Sequence, residues 1–252
     1  MKAMIFAAGL GTRLRPLTND RPKALVEVDG RTLLEILLGR LRDCGIREVV
    51  INAHHFADQL VEYLKAHDHF GLRVAVSRED VLLDTGGGLK KAAPFFLGDA
   101  QSVAADEPIL VHNVDVLSTI DLARMAEVHR ANKALTTLAV QERKTSRYLL
   151  FDEHGQLCGR RIGEVATAEV VRRSRHVQPL AFAGIHVISP RLFAKLTEDG
   201  PFSIITSYLR LAAGGESILA FRADESYWRD LGRLEDLECA ARDLRESPLD
   251  KH

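Results

Sequence analysis

Between residues 2 and 141, short apolar runs alternate with longer stretches that carry helical periodicity. The runs are "KAMIFAA", "REVVINA", "LRVAVS", "PILVHNVD" and "ALTTLAVQE". Between them lie "RTLLEILLGRLRDCG", ending at Gly45, then "FADQLVEYLKAH", a helix starting near Leu89, and "DLARMAEVHRAN". In the first of these the leucines and isoleucine recur at the spacing of one helical face. Strands that are apolar along their whole length are buried on both sides, and strand–helix alternation marks a parallel sheet. The order predicts an α/β fold, a mixed, mostly parallel sheet with helices on both faces.

After residue 141 the rhythm changes. "RYLLFDEHGQLCGR" predicts a hairpin turning at His154 and Gly155. "PLAFAGIHVIS" predicts a strand, "PRLFAKL" and "FSIITSYLRLAAG" helices, "SILAFRA" and "SYWRD" strands, and "RLEDLECAARDLRE" a closing helix. No linker rich in Pro, Gly and Ser separates the two regions, and no internal repeat is evident. Residues 1–246 are therefore expected to form a single domain, with a polar tail at 247–252.

Net charge narrows the partners. The chain has 252 residues and a formal charge of −1, so nothing global attracts nucleic acid or an acidic membrane. Any anion site must be local. Three scattered cysteines, Cys44, Cys158 and Cys239, make no metal or disulfide pattern and fit a reducing compartment. The opening "MKAMIFAAG" is too short to span a membrane and has no cleavage region behind it, so it is read as a buried strand. A cytoplasmic protein is expected. His54-His55 and His67-x-His69 lack metal-site spacing and are expected at the surface. The arginines between Arg160 and Arg175 are expected on a solvated face.

The first strand runs into "GLGTRLRPLT". A dinucleotide fingerprint would need a third glycine where Leu14 stands, and no triphosphatase loop with its Gly-Lys-Ser/Thr ending occurs. Gly9 and Gly11 can still turn successive backbone N–H groups toward an anion, with Thr12 beside them and Arg13 supplying a fork of donors. From these residues alone the loop reads equally as a phosphate cradle or as an ordinary glycine turn.

Six stretches in order add to this. "AAGLGTRLRPLT" is followed by "RPKALVEV", then "DTGGGLKKA", "ILVHNVDV", "AFAGIHVISPRLF" and "YWRDLGRLEDL". Together they resemble the sugar-1-phosphate nucleotidyltransferases, the nucleotide-sugar pyrophosphorylases, over essentially the whole chain. Within that family the chain is most similar to small bacterial N-acetylmuramate-1-phosphate uridylyltransferases and neighbouring mannose- or heptose-1-phosphate transferases. The resemblance implies a Rossmann-like sheet of the nucleotide-diphospho-sugar transferase type, with residues 1–140 binding nucleotide and 141–246 binding sugar. It implies Mg²⁺ as cofactor and a nucleoside triphosphate and a sugar 1-phosphate as partners, in a monomer or small homo-oligomer. The family's frequent C-terminal β-helix has no counterpart here, and Glu164 lacks the Lys-Pro that would complete the usual sugar-contacting motif.

The resemblance also assigns roles. Arg13 would grip the departing phosphates, and Lys23 would neutralise charge in the reaction zone and align the attacking sugar phosphate. Asp115 and Asp230 would share Mg²⁺ with the α-phosphate, because that ion takes one or two carboxylates plus substrate oxygens. Asn113, two residues before Asp115 and expected on the same strand face, would bond the nucleotide's sugar. Gly86 and Gly87 would let backbone read the base, and Gly184 would let the substrate sugar lie against its strand. Arg15 reads as a structural ion pair as readily as a ligand, and Asp230 could instead cap the closing helix. Uracil is the expected base. Alternatives are guanylyl transfer to mannose or heptose 1-phosphate, cytidylyl transfer to a non-sugar phosphate, and a non-catalytic nucleotide-sugar sensor. A choline-type acceptor would want an aromatic cage, for which Trp228 and four tyrosines are the main material. A sensor should have lost some of Arg13, Lys23, Asp115 and Asp230, and all four are present.

Overall fold

A computed structural model describes residues 1–97, 107–163 and 168–246. The expected tail and Glu164 lie outside the described residues. The first half runs β1 (Lys2–Phe6), β2 (Glu27–Val28), β3 (Arg31–Thr32), α1 (Leu33–Asp43), β4 (Glu48–Ala53), α2 (Ala57–Ala66), β5 (Arg73–Arg78), α3 (Asp84–Leu97), β6 (Ile109–Asn113), β7 (Val116–Ser118), α4 (Leu122–Ala131) and β8 (Thr136–Gln141). The second half adds β9 (Arg147–Phe151), β10 (Leu157–Ile162), β11 (Glu169–Val170), β12 (Gln178–Ile188), α5 (Ile204–Ala213), β13 (Ile218–Arg222), β14 (Trp228–Asp230) and α6 (Leu234–Glu246).

Ten strands make one mixed sheet in the order β11-β10-β9-β12-β6-β1-β4-β5, with β8 beside β12 and β13 beside β8. Strands β6, β1, β4 and β5 are parallel, and β12 is antiparallel to β6, β8 and β9. The eleven-residue β12 is long enough to pair with β9 through Gln178–Ala181 and with β6 through Ile185–Ile188. It thereby joins the later half to the parallel core.

Strand alternation sends side chains to two cores. Ala3, Ile5, Val49, Ile51, Leu110, Ile185 and Val187 pack with α1, α2, α4 and α6. Met4, Val50, Ile109, Val111, Leu138 and Ile188 pack on the other face with α3 and α5. Helix α1 shows how local sequence sets an element: Thr32 Oγ1 accepts the Glu35 N–H at 3.0 Å, a cap on the first turn. Six apolar residues of α1 are buried, and Gly45 takes φ +82° just beyond its end. Among the described residues no helix is long and apolar enough to cross a membrane.

Three local expectations are corrected. The helix expected from Leu89 starts at Asp84, so Gly86, Gly87 and Gly88 are buried helical residues, not a loop. Their low helix propensity is overridden by tertiary packing. A Cβ on Gly86 would lie 2.2 Å from the Phe202 ring, and one on Gly87 would lie 2.5 Å from the Gly200 carbonyl. The segment Pro190–Lys195 is a 3-10 helix held at its start by Ser189 and Pro190. Strand β14, expected with the rest of the later half to complete the main sheet, stays off it and pairs with β7 in a separate ribbon.

Candidate active site

The site lies at the carboxyl end of β1, where Phe6 is flanked by Asn52 of β4 on one side and Asn113 of β6 on the other. In open α/β sheets, ligands bind outside the carboxyl ends of the strands, at the point where the strand order reverses. The glycine loop leaves β1 here. Gly11 is left-handed at φ +63°, and a Cβ on it would come within 2.9 Å of the Thr18 methyl. Thr18 Oγ1 in turn donates to the Gly11 carbonyl at 2.9 Å, so the loop folds back on itself. Gly9 is exposed, with nothing within 4 Å of its Cβ position. Thr12 and Arg13 follow in a 3-10 turn, with the Arg13 side chain 59% exposed.

Lys23 also sits in a 3-10 turn, but its side chain is buried and ion-paired with Asp115 Oδ2. Strand β6 stops at Asn113, so Asp115 occupies the turn between β6 and β7 and does not share a strand face with Asn113. The β7–β14 ribbon sets Asp230 opposite Val116, and the Leu231 N–H donates to the Asp115 carbonyl at 2.7 Å. This pairing brings the two carboxylates together. Partial burial and the charge of Asp115 push the Asp230 carboxyl above its usual range, against the opposing pull of Lys23 and Arg13. Arg13 Nη2 stands 4.0 Å from Asp230 Oδ1. Asp230 Oδ1 also accepts the Gly232 N–H at 2.8 Å, a local turn ahead of α6.

Four of the expected residues thus converge: Arg13, Lys23, Asp115 and Asp230. Asn113 and Gly184 meet each other. Gly184 has φ +73° within a β12 irregularity, and a Cβ on it would lie 2.8 Å from Asn113 Nδ2. It is both a bulge and the gap that admits the Asn113 amide. Gly86 and Gly87 face Phe202 and Gly200. It is Gly88 that lies against Asn52 and Glu79, with its Cβ position 2.7 Å from Glu79 Oε1. Asn52 links this corner to the loop, accepting the Ala7 N–H at 2.7 Å and donating to Glu79 Oε1 at 2.7 Å. Arg15 is exposed and has no ion pair among the described residues.

The basic stretch is less solvated than expected. Arg172 donates to Gln156 Oε1 and to the Ala212 and Glu216 carbonyls, Arg160 pairs with Glu169, and Arg161 lies over the Tyr148 ring. His54 and His67 bond backbone carbonyls through Nδ1. Sequence reasoning missed Gly88, Asn52, Glu79, Arg143 and Gly232. A Cβ on Gly232 would lie 2.5 Å from Asp230 Oδ1 and 2.6 Å from Arg13 Nη2. The "DLG" of "YWRDLG" was the available signal. Arg143 had none, because its placement depends on Trp228, whose ring it covers at 3.6 Å.

The residues present fit a divalent cation. Among the described residues no set of three or more His, Cys, Asp and Glu side chains converges. Two carboxylate donors, with substrate oxygens to complete the shell, are what Mg²⁺ takes, and Asp115 and Asp230 supply them side by side. Chemically, the site can hold a polyanion between a glycine turn and two cations, beside a pair of carboxylates.

Comparison with known proteins gives the family. The nucleotidyl transferase family matches residues 2–247. The N-acetylmuramate alpha-1-phosphate uridylyltransferase of Caulobacter vibrioides is 35% identical over 239 residues, covering 91% of each chain. The mannose-1-phosphate guanyltransferase of Yarrowia lipolytica is 30% identical over 94% of this chain, which spans 62% of that longer protein. Among solved structures, HddC from Yersinia pseudotuberculosis, complexed with GMP-PN, superposes with a TM-score of 0.75 at 21% identity. It covers 96% of this chain and 99% of its own, and shares the fold. By its motifs, its sheet and these relatives, the chain belongs to the nucleotidyl transferase family and, within it, to the sugar-1-phosphate nucleotidyltransferases.

Proposed function

We propose that the protein transfers the uridylyl group of UTP to N-acetylmuramate 1-phosphate or a closely similar sugar, releasing pyrophosphate. The observation that carries this reading is the convergence of Arg13, Lys23, Asp115 and Asp230 at the end of β1, in a chain 35% identical to such an enzyme. Residues 1–140 supply the nucleotide half and 141–246 the sugar half. The attacking group is a phosphate oxygen whose second ionisation lies near pH 6, at about 6. It is already charged at neutral pH, so the protein needs to position two polyanions rather than remove a proton.

His112 and His186, lying in the sheet with pKa values lowered to about 3 by burial, stay neutral and are not required as bases. Lys23, held by Asp115, presents a fixed positive charge to the incoming phosphates. Arg13 is exposed enough to close on the departing pyrophosphate, and Gly11 keeps backbone N–H groups turned toward the triphosphate. Asp115 and Asp230 would hold Mg²⁺, which when bound neutralises charge on the phosphates. Asn113, backed by Gly184, is placed to bond the nucleotide's sugar, and the Gly88–Asn52–Glu79 corner to bound the base. We assign the reaction to the cytoplasm, where nucleoside triphosphates and sugar phosphates are made.

The test is pyrophosphate release from the purified protein with Mg²⁺, each nucleoside triphosphate in turn, and a panel of sugar 1-phosphates. UTP with N-acetylmuramate 1-phosphate should give the highest kcat/KM. Preference for GTP with mannose or heptose 1-phosphate, or for CTP with a non-sugar phosphate, would replace the uridylyl assignment. Nucleotide binding without release from any pair would support a sensor instead.

A further inference from the structure

One cation near the site has no place in the scheme above. Arg143 lies in the loop joining β8 to β9, and its guanidinium stacks 3.6 Å from the centre of the Trp228 ring. Its Nη2 donates to the Phe182 carbonyl at 2.8 Å, and Trp228 Nε1 donates to the adjacent Ala183 carbonyl at 2.8 Å. Ring and guanidinium are thereby fixed against β12 directly before Gly184. Trp228 stands two residues before Asp230 on the same short strand.

A guanidinium carries five N–H donors. One of Arg143's has a partner; Nε is buried without one, and no carboxylate reaches ion-pair distance among the described residues. A partly buried charge in this state is usually matched by a carboxylate or a hydrogen-bond network. Arg40, a more deeply buried guanidinium on α1, shows the ordinary outcome. It donates to Ser118 Oγ and the Ile120 carbonyl and so ties α1 to the segment after β7. Arg143 instead is held by the Trp228 ring and one backbone carbonyl, with Nε buried and unpartnered and the Asp230 carboxylate acting on its charge only through space.

We propose that Arg143 recognises an anionic substituent of the sugar and selects a carboxylate-bearing sugar 1-phosphate over its uncharged counterpart; this rests on the transfer reading above. Arg13 and Lys23 come from the glycine loop and serve the phosphates. Arg143 comes from the later half of the chain, beside the bulge where β12 approaches Asn113. A planar guanidinium stacked on an aromatic ring is preorganised for a carboxylate, and its fork fits the two oxygens better than a lysine would. N-acetylmuramate carries an ether-linked lactyl carboxylate where N-acetylglucosamine has a hydroxyl, so the two sugars differ in bulk as well as charge, and the Arg143 variants separate the two effects.

Trp228 is the one tryptophan in the chain, so its fluorescence reports occupancy next to Arg143 without requiring turnover. N-acetylmuramate 1-phosphate and N-acetylglucosamine 1-phosphate are each titrated into the wild type, Arg143→Gln and Arg143→Lys, and each is assayed for transfer from saturating UTP. The wild type should prefer the carboxylate sugar. Arg143→Gln should lower that preference roughly 10–100-fold, chiefly through KM, with Arg143→Lys recovering part of it. The KM for UTP and the melting temperature report whether the fold persists. A wild type that does not discriminate, or a Gln variant that weakens both sugars equally, overturns the assignment. If no pair releases pyrophosphate while the fluorescence titrations still separate the two sugars in an Arg143-dependent way, the transfer reading fails and the recognition stands.

Discussion

Replacing Gly232 with alanine tests the active-site geometry without touching a charged group. Its φ lies outside the left-handed region, so alanine is compatible with the backbone. The added methyl would sit 2.5 Å from Asp230 Oδ1 and 2.6 Å from Arg13 Nη2, where 3.4 Å is ordinary contact. Both atoms are tips of flexible side chains, so they can retreat, each by about 1 Å. A displacement of about 1 Å in a phosphoryl-transfer site costs on the order of 10²-fold in rate. The fold should be little affected, since loss of backbone freedom in the unfolded chain offers about 0.4–1 kcal/mol in return. Gly232→Ala should therefore melt close to the wild type and release pyrophosphate on the order of 10²-fold more slowly, with kcat falling more than the KM for UTP rises. Wild-type turnover in a folded variant would show that the approach of Arg13 to Asp230 plays no part in catalysis, and the reasoning would be refuted.

Asp115→Asn should reduce turnover on the order of 10²–10⁴-fold, because it removes a carboxylate from the cation site and leaves Lys23 buried without its partner. Near-normal rates with Mg²⁺ would remove Asp115 from that site. Gly184→Ala should destabilise by about 1–3 kcal/mol in denaturant titration, from the left-handed backbone and the crowding of Asn113; an unchanged midpoint would mean that the amide swings clear at no cost. Glu198 gives a pH prediction. Its bidentate bond to Arg210, at 2.9 and 3.0 Å, holds its pKa down at about 2 from the ordinary 4.5. A depressed carboxylate contributes stability that is fully present above pH 4.5 and is lost as pH falls toward 2. The melting temperature of the wild type should exceed that of Glu198→Gln at pH 6 by a small margin, because Arg210 is partly exposed, and the margin should shrink as pH falls through 4 to 3. A margin independent of pH would place the effect in packing instead.

Much of this protein can be read along the chain, because the features concerned have a local period or a local chemistry. Val49, Val50 and Ile51 announce a strand buried on both faces, and Thr32 with Glu35 announces the start of α1. Gly11, Arg13, Lys23, Asp115 and Asp230 are each recognisable by residue type within a motif, and the structure brings the four charged ones to one place. The chain alone did not say how. Asp230 meets Asp115 because β14 leaves the main sheet to pair with β7, and a pairing between distant segments has no periodic signature. Gly86, Gly87 and Gly88 read locally as a loop because glycine disfavours helix. They lie in α3, where Phe202, Gly200 and Glu79 leave no room for a side chain, so packing requires glycine despite its low helix propensity. Arg143 reads as one more loop arginine until Trp228 folds beneath it. Sequence determined which elements form and which chemical groups are on hand; tertiary structure decided which groups meet, since close approach between remote residues is settled by packing in three dimensions.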